Sequence, residues 1–468
     1  MKRYISIIWI VLIGLVLFTR CEKDLPGPTN NNPPDTTGVP AHIRYVNNWI
    51  WDVMSEVYYW NNYLPQNTNP DTEPDPEEYF EKLKYVNDNF SWLDDDFEGL
   101  MRELEGVFVS MGYSPAFGRY SNTDGVFILV EYVHSGTPAD RAGLKRGDII
   151  VSINNIDLND KNYLTLYNLT SYSVTLGEYI DEGISKTDVV LSMTAEEIIL
   201  DPVFYYDIME FGGQKVGYLV YVEFKSGEND RFLDSIDVVV DEFVAANVQD
   251  VIVDIRYNPG GDLTSAQYLA SALAPASVVQ NHEVLVRFDY NDLYHNYFLA
   301  TEGSNSPHLV RLFPDNDHNL NLDRVYFLTS RGTASASEFL IIGLYPYMEV
   351  IQVGEPTYGK DAGAWVIPDL ADPPEHNYAL VPVVFKYANA TGFTNFVNGL
   401  QPTYLVEDDL IGAKPFGSLK DPVLHKALEV IVGLDELPSL KSTPAKPPFE
   451  RLEDNFTKKR QTFFINPW

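Results

Sequence analysis

The chain has 468 residues, enough for two or three domains with cores of their own, and its 45% hydrophobic and 13% aromatic content indicates a folded body. Lysine and arginine number 33 against 67 aspartates and glutamates, a formal net charge of −34 that argues against nucleic acid or anionic lipid as partner, because both need basic patches. The single cysteine, Cys21, excludes an intrachain disulfide.

Met1-Lys2-Arg3 is a basic start, Tyr4 to Phe18 is an apolar run short for a membrane span, and Cys21 follows at once. Residues 1–20 resemble a bacterial lipoprotein signal, cleaved before a cysteine that is then lipidated, although Arg20 stands where a small residue is usual. That resemblance implies an outer-membrane lipoprotein of a Gram-negative-type cell envelope, facing periplasm or cell surface; an uncleaved anchor and a secreted form stay open. Residues 21–40 include LPGPTNNNPPDTTGVP, a tether with nothing to bury. Residues 41–104 turn helical: Ile43, Val46, Ile50, Val53 and Val57 recur at helix spacing, with Trp49, Trp51 and Trp60 nearby, and a Pro/Asp-rich loop leads to a second helix from Pro76. This aromatic region reads as packing and is assigned no site.

Residues 105–200 contain VEYVHSGTPADRAGLKRGDIIVSINNIDL: a strand, a Ser-Gly-Thr-Pro turn, a short helix through Ala142, a Gly-Leu-Lys-Arg-Gly-Asp turn and a strand Ile149 to Ile153. The run resembles the middle of a PDZ domain. The resemblance implies that an extended peptide adds to a sheet edge, its carboxylate held by backbone N–H groups. Met111, Gly112 and Tyr113 fall on the carboxylate-binding side, in a stretch that departs from the usual Gly-Leu-Gly-Phe type. A structural or lid-like role for this domain stays open.

Residues 201–437 form the core. KVGYLVYVEF reads as a strand, Asp230 to Ala246 as an amphipathic helix and Asp250 to Arg256 as a buried strand, a succession that suggests parallel βαβ units. Tyr257-Asn258-Pro259-Gly260-Gly261 follows. Two glycines let backbone approach a ligand and present N–H groups, though taken alone they read as a βα turn needing positive φ. Thr264 to Ala274 reads as a helix, Val284 to Phe298 as a hairpin and 303–322 as a polar loop. Tyr378 to Tyr387 reads as one strand, Gly399 to Val406 as a turn and strand, and Asp421 to Val432 as a helix. Residues 438–468 are Pro- and Lys-rich and stay unassigned.

The stretch 324–360 is strand, serine turn, helix, strand and lysine turn. A serine in a helix's first turn sits among unpaired N–H groups at the positive end of the dipole, where an oxyanion is stabilised. A desolvated, neutral lysine can take a hydroxyl proton. Taken alone, Ser335 and Ser337 serve equally as helix caps, with Lys360 a surface charge.

GTASASE, GEPTYGK and DIRYNPGG closely resemble the signature of the C-terminal processing peptidases, or tail-specific proteases. The resemblance implies that Ser335 is the nucleophile and Lys360, 25 positions later, its base, with Ser337 a structural alternative. It also implies an oxyanion hole from the N–H of Ala336 with that of Gly260 or Gly261. Protein or peptide substrates are implied, with recognition through their C-termini left open, and no metal or cofactor. The fold class expected is multidomain α/β: a helical N-terminal region, a PDZ domain and a mixed α/β protease core. The family's orienting glutamine, four residues past the lysine, is replaced here by Ala364. That absence and the atypical PDZ loop motivate a second reading, a catalytically inactive peptide-binding lipoprotein. Other chemistries find less support: the eight histidines form no HExxH pair, Gly354 to Lys360 lacks the Ser/Thr of a P-loop, and there is no GxSxG elbow.

Overall fold

The computed structural model describes residues 38–120, 124–180, 183–440, 450–452 and 464–465; the stretch expected to be a signal, Cys21 and nearly all of the expected tether lie outside the described residues. At its centre is a six-stranded sheet in the order Val203–Phe211, Gln214–Tyr221, Asp250–Asp254, Arg324–Thr329, Glu349–Gly354 and Tyr404–Leu405. The first pair is an antiparallel hairpin and every later pairing is parallel. Strands of a parallel sheet are covered on both faces, so they read as continuous apolar runs rather than as alternation. Val251, Val253, Val325 and Phe327 face helices Arg231–Ala246, Leu263–Leu273 and Ala336–Leu344. Ile252, Tyr326 and Leu328 face the opposite layer, with Val423, Leu424 and Leu428 of helix Pro422–Val432. Aspartates start several of these helices: Asp262 accepts from Ser265 N–H, and Asp421 from Val423 and Leu424 N–H.

A five-stranded sheet, Val310–Leu312, Val284–Tyr290, Val383–Asn389, Ala362–Trp365 and Phe464–Ile465, packs beside the first. Two expectations fail here. The segment 284–298 is not a hairpin: it is a strand followed by helix Asp292–Thr301, because Asn291 turns the chain and its side chain caps Tyr294 N–H at 3.0 Å. Tyr378 to Tyr387 is not one strand, because Pro382 has no N–H to continue a ladder. Ala379–Val381 therefore pairs with Trp92–Asp94 and Ile367–Pro368, and Val383–Asn389 enters the other sheet.

The domain at 105–200 is an antiparallel sheet in which Tyr113–Arg119, Val126–Val133, Ile149–Ile153, Ser171–Ile180 and Gly183–Thr194 lie in order, with short helices Pro138–Ala142 and Tyr163–Tyr167. Glu450–Arg451, from the unassigned tail, pairs with the edge strand Tyr113–Arg119. The domain is docked: Phe127, Leu129 and Tyr132 share one core with Val220 and Tyr257. Arg146 fastens the joint, donating to Tyr257 Oη at 2.8 Å and Lys414 O at 2.9 Å with its guanidinium over the rings of Tyr257 and Phe416. Helices Ala41–Val57 and Pro76–Leu83 pack through Val46, Ile50, Tyr79 and Phe80 onto Ala362, Leu380 and Val383. Among the described residues no helix is long and apolar enough to cross a membrane.

Candidate active site

Three consecutive parallel strands end side by side, and each leads into one motif. Asp250–Asp254 delivers the Gly260-Gly261 turn, Arg324–Thr329 the Ser335 turn, and Glu349–Gly354 the Lys360 turn. Loops at the C-terminal ends of such strands are where open α/β sheets bind ligands. The turns are stitched together by side chains. Ser330 Oγ donates to Arg256 O, Thr333 Oγ1 to Ile255 O at 2.8 Å, and Ser337 Oγ to Asn258 O at 3.1 Å. Ser337 is thus committed inside its helix.

Ser335 differs from its neighbours. It is fully buried at the N-cap of helix Ala336–Leu344, its φ/ψ of 60°/−110° is a conformation a non-glycine residue adopts at a cost, and its Oγ has no hydrogen-bond partner among the described residues. Strain of this kind persists only where the surroundings over-determine it. Here Glu338 does so. Its Oε2 accepts from Ser335 N–H at 2.8 Å and from Lys360 N–H at 2.9 Å; its Oε1 accepts from Gly359 N–H at 2.7 Å and Thr357 Oγ1 at 2.5 Å. Burial pushes the Glu338 carboxyl up to about 7, against those four hydrogen bonds, which favour the charged form. Tyr387 closes the other side: its hydroxyl lies 3.2 Å from Ser335 O and 2.9 Å from Lys360 O. The backbones of Ser335 and Lys360 therefore share one acceptor for their N–H groups and one donor for their carbonyls.

Lys360 has no exposed surface, and burial holds its ammonium down to about 7, against the pull of Asp88 and Glu338. Asp361 faces away from it, paired with Lys386 Nζ at 3.1 Å. Ala364 is buried against Leu100, Val366, Ala379 and Val381, an apolar contact where the family's glutamine would stand.

The glycine turn approaches Ser335 as closely as backbone can. A Cβ on Gly260 would lie 2.8 Å from Ser335 Cβ and 3.0 Å from Ala336 N, and one on Gly261, at φ 136°, only 1.9 Å from Phe224 O. Only glycine fits either position. Of the two, Gly260 already donates its N–H to Asn258 Oδ1 at 2.9 Å. Arg256, fully buried, pairs with Asp254, Asp408 and Asp421 and holds the turn from behind. Three histidines are engaged elsewhere: His318 with Asp241, His425 with Leu419 O and His134 among Tyr132 and Phe204. A cleft of about 520 Å³ is lined by Met111, Gly112 and Tyr113 of the edge-strand domain at one side and by Gly261 and Val366 of the core at the other.

Glu338 and Tyr387 were not identified from sequence. The glutamate sits in GTASASE three residues after Ser335, at the Ser-x-x-Glu spacing of a capping box, which was a legible signal; Tyr387 carried none.

The profile of Peptidase family S41 matches residues 215–406, that of the Peptidase S41 N-terminal domain residues 45–92, and that of a PDZ domain residues 129–167. The carboxy-terminal processing protease CtpB of Bacillus subtilis (strain 168) is 25% identical over 70% of this chain and 60% of its own length, so the match leaves two fifths of that relative uncovered. A carboxyl-terminal-processing protease of Picosynechococcus sp. (strain ATCC 27264 / PCC 7002 / PR-6) is 23% identical over 75% of this chain and 79% of its own. Among solved structures, a Bacteroides fragilis NCTC 9343 protein assigned to the S41 proteases superposes with a TM-score of 0.66 at 28% identity, covering 82% of this chain and 97% of that one. The photosystem II D1 C-terminal processing protease shares the fold, with a TM-score of 0.51 at 18% identity over 86% of this chain and 99% of that one. The chain belongs to peptidase family S41, with that family's N-terminal domain and a PDZ domain.

Proposed function

We propose that this protein is a serine endopeptidase of the C-terminal processing type, cutting proteins or tails that reach it through the cleft beside the PDZ domain. The observation that carries this reading is a buried, strained Ser335 whose hydroxyl has no partner among the described residues, held through its backbone on the same glutamate as a buried Lys360 whose ammonium is held down to about 7. In the reaction Ser335 Oγ attacks the scissile carbonyl carbon while Lys360 Nζ takes its proton. The oxyanion is received by the N–H groups of Ala336 and Gly261, at the positive end of the helix and on the glycine turn. As the C–N bond breaks, Lys360 returns the proton to the leaving amine, and then serves as base for the water that releases the acyl group. No hydrogen bond joins Ser335 Oγ to Lys360 Nζ at rest; catalytic contacts of this kind commonly tighten in the substrate complex. Met111, Gly112 and Tyr113 share their cleft with Gly261, which supports delivery of a tail from the PDZ edge to the scissile position.

The test is cleavage of an unstructured protein by wild type, Ser335→Ala and Lys360→Ala. Wild type is expected to cut and both variants to lose at least a thousandfold in rate. Intact substrate with wild type between pH 7 and 10, together with retained peptide binding, refutes the peptidase reading in favour of a receptor. Unimpaired cleavage by Ser335→Ala refutes the nucleophile.

A further inference from the structure

The base of this site lacks its family's orienting glutamine, and the molecule covers the gap from an unexpected side. Lys360, Ala362 and Ala364 lie at alternate positions along one stretch of chain, and the N-terminal region meets all three. Ala364 packs on Leu100 and Ala362 on the Val46, Ile50 and Phe80 cluster, while the Phe90 ring lies 5.1 Å from Lys360 Nζ. Phe90 is held edge-on against Tyr358, with centroids 6.2 Å apart. Its turn is rigid: the Asp88 carboxylate, 4% exposed, accepts from Phe90 N–H at 2.9 Å, Ser91 N–H at 3.0 Å and Tyr58 Oη at 2.7 Å. Ser91 Oγ in turn accepts from Val383 N–H at 2.8 Å, which pins the turn to the strand beside Ala364.

We propose that the Asp88–Phe90 turn of the N-terminal region completes the active site, Phe90 covering the Lys360 amine and Asp88 supplying the negative charge that holds it in place. Both are positioning residues that act through Lys360. The inference rests on Lys360 being the base. Of the charges acting on Lys360, Asp88 acts more strongly than Glu338, which faces it from the serine helix. Asp361 on its own strand is taken up by Lys386, and the Tyr387 hydroxyl lies on its carbonyl. Asp88 thus opposes what burial does: the cover drives Lys360 toward neutrality, and the carboxylate keeps its titration near working pH instead of far below it.

The two effects have opposite signs, and the test uses that. In full-length Ser335→Ala protein, the Lys360 titration is followed by NMR of labelled lysine side chains, assigned by its loss in Lys360→Met. This readout needs no proteolysis, so a failure of the peptidase reading leaves it intact. Asp88→Asn, which keeps an oxygen for the two backbone N–H groups, is expected to lower the midpoint by about one pH unit. Phe90→Ala, which admits water, is expected to raise it. A merely structural turn would loosen in both variants and raise both midpoints. A midpoint in Asp88→Asn that is unchanged or higher overturns the proposal. Should that variant not fold, an unchanged midpoint in Phe90→Ala overturns it.

Discussion

Glu338→Gln tests whether one side chain holds nucleophile and base in register. The carboxylate accepts four hydrogen bonds and donates none, two at each oxygen. An amide of the same shape has one accepting oxygen. Turned toward Thr357 and Gly359, it would set its NH2 against the N–H groups of Ser335 and Lys360; turned the other way, it would forfeit the Gly359 N–H bond and reverse the one with Thr357. Either orientation leaves one or two buried donors unmet, each costing about 1–3 kcal/mol, so a loss of about 1–6 kcal/mol is expected. That is a large share of the ~5–15 kcal/mol that holds a typical fold. The substitution should lower the thermal midpoint by several degrees and, in protein still folded at 25 °C, lower kcat by about a hundredfold while changing KM little, since a misplacement near 1 Å costs on that order. The assays are denaturant unfolding and steady-state cleavage of one peptide. Wild-type stability together with wild-type kcat would refute the clamp.

The pH–rate profile has its own sign. Lys360 acts as base when neutral and burial holds it down to about 7, so kcat/KM should rise through pH 7 and level off above it; a rise centred near 10 would refute the buried base. Its folded pKa lies below its unfolded one, so burial of this lysine costs stability most below pH 7, and that cost should fade between pH 7 and 10.5 in unfolding measurements. Tyr387→Phe removes the hydroxyl over the Ser335 and Lys360 carbonyls and should lower kcat about tenfold with stability down by ~1–2 kcal/mol; unchanged values in both would sink this role. Arg146→Ala strips the PDZ joint of its contacts to Tyr257, Lys414 and Phe416. It is expected to loosen the domain in limited proteolysis and to lower cleavage of full proteins more than of short peptides; equal effects on both would refute a delivery role.

What the sequence displayed and what it hid divide along a physical line. Strands buried on both faces read as unbroken apolar runs, and the aspartate caps and glycine turns depend on neighbours a few residues away. The parallel core and the strand–turn–helix at Ser335 were therefore legible. The hairpin expected at 284–298 failed because alternation in a half-exposed strand and the first turn of a helix look alike over so few residues, and Asn291 decided between them. Asp88, Phe90 and Tyr387 were invisible for another reason. Asp88 and Phe90 reach Lys360 from one distant turn and Tyr387 from a later strand, and nothing in their own neighbourhoods marks them as anything but packing.

That last point bears on how the site is built. Ser335, Gly261 and Lys360 stand in the turns that follow three adjacent strands of one sheet, and a sheet of this kind is rigid enough to fix where those turns start. It does not by itself make Lys360 a base, because a lysine at a strand end open to water stays charged at neutral pH. Neutrality comes from the cover, and the cover comes from the N-terminal region through Phe90 and the helices on Ala362. In the mechanism proposed, the core therefore carries the reacting groups, while the N-terminal region controls whether one of them can act.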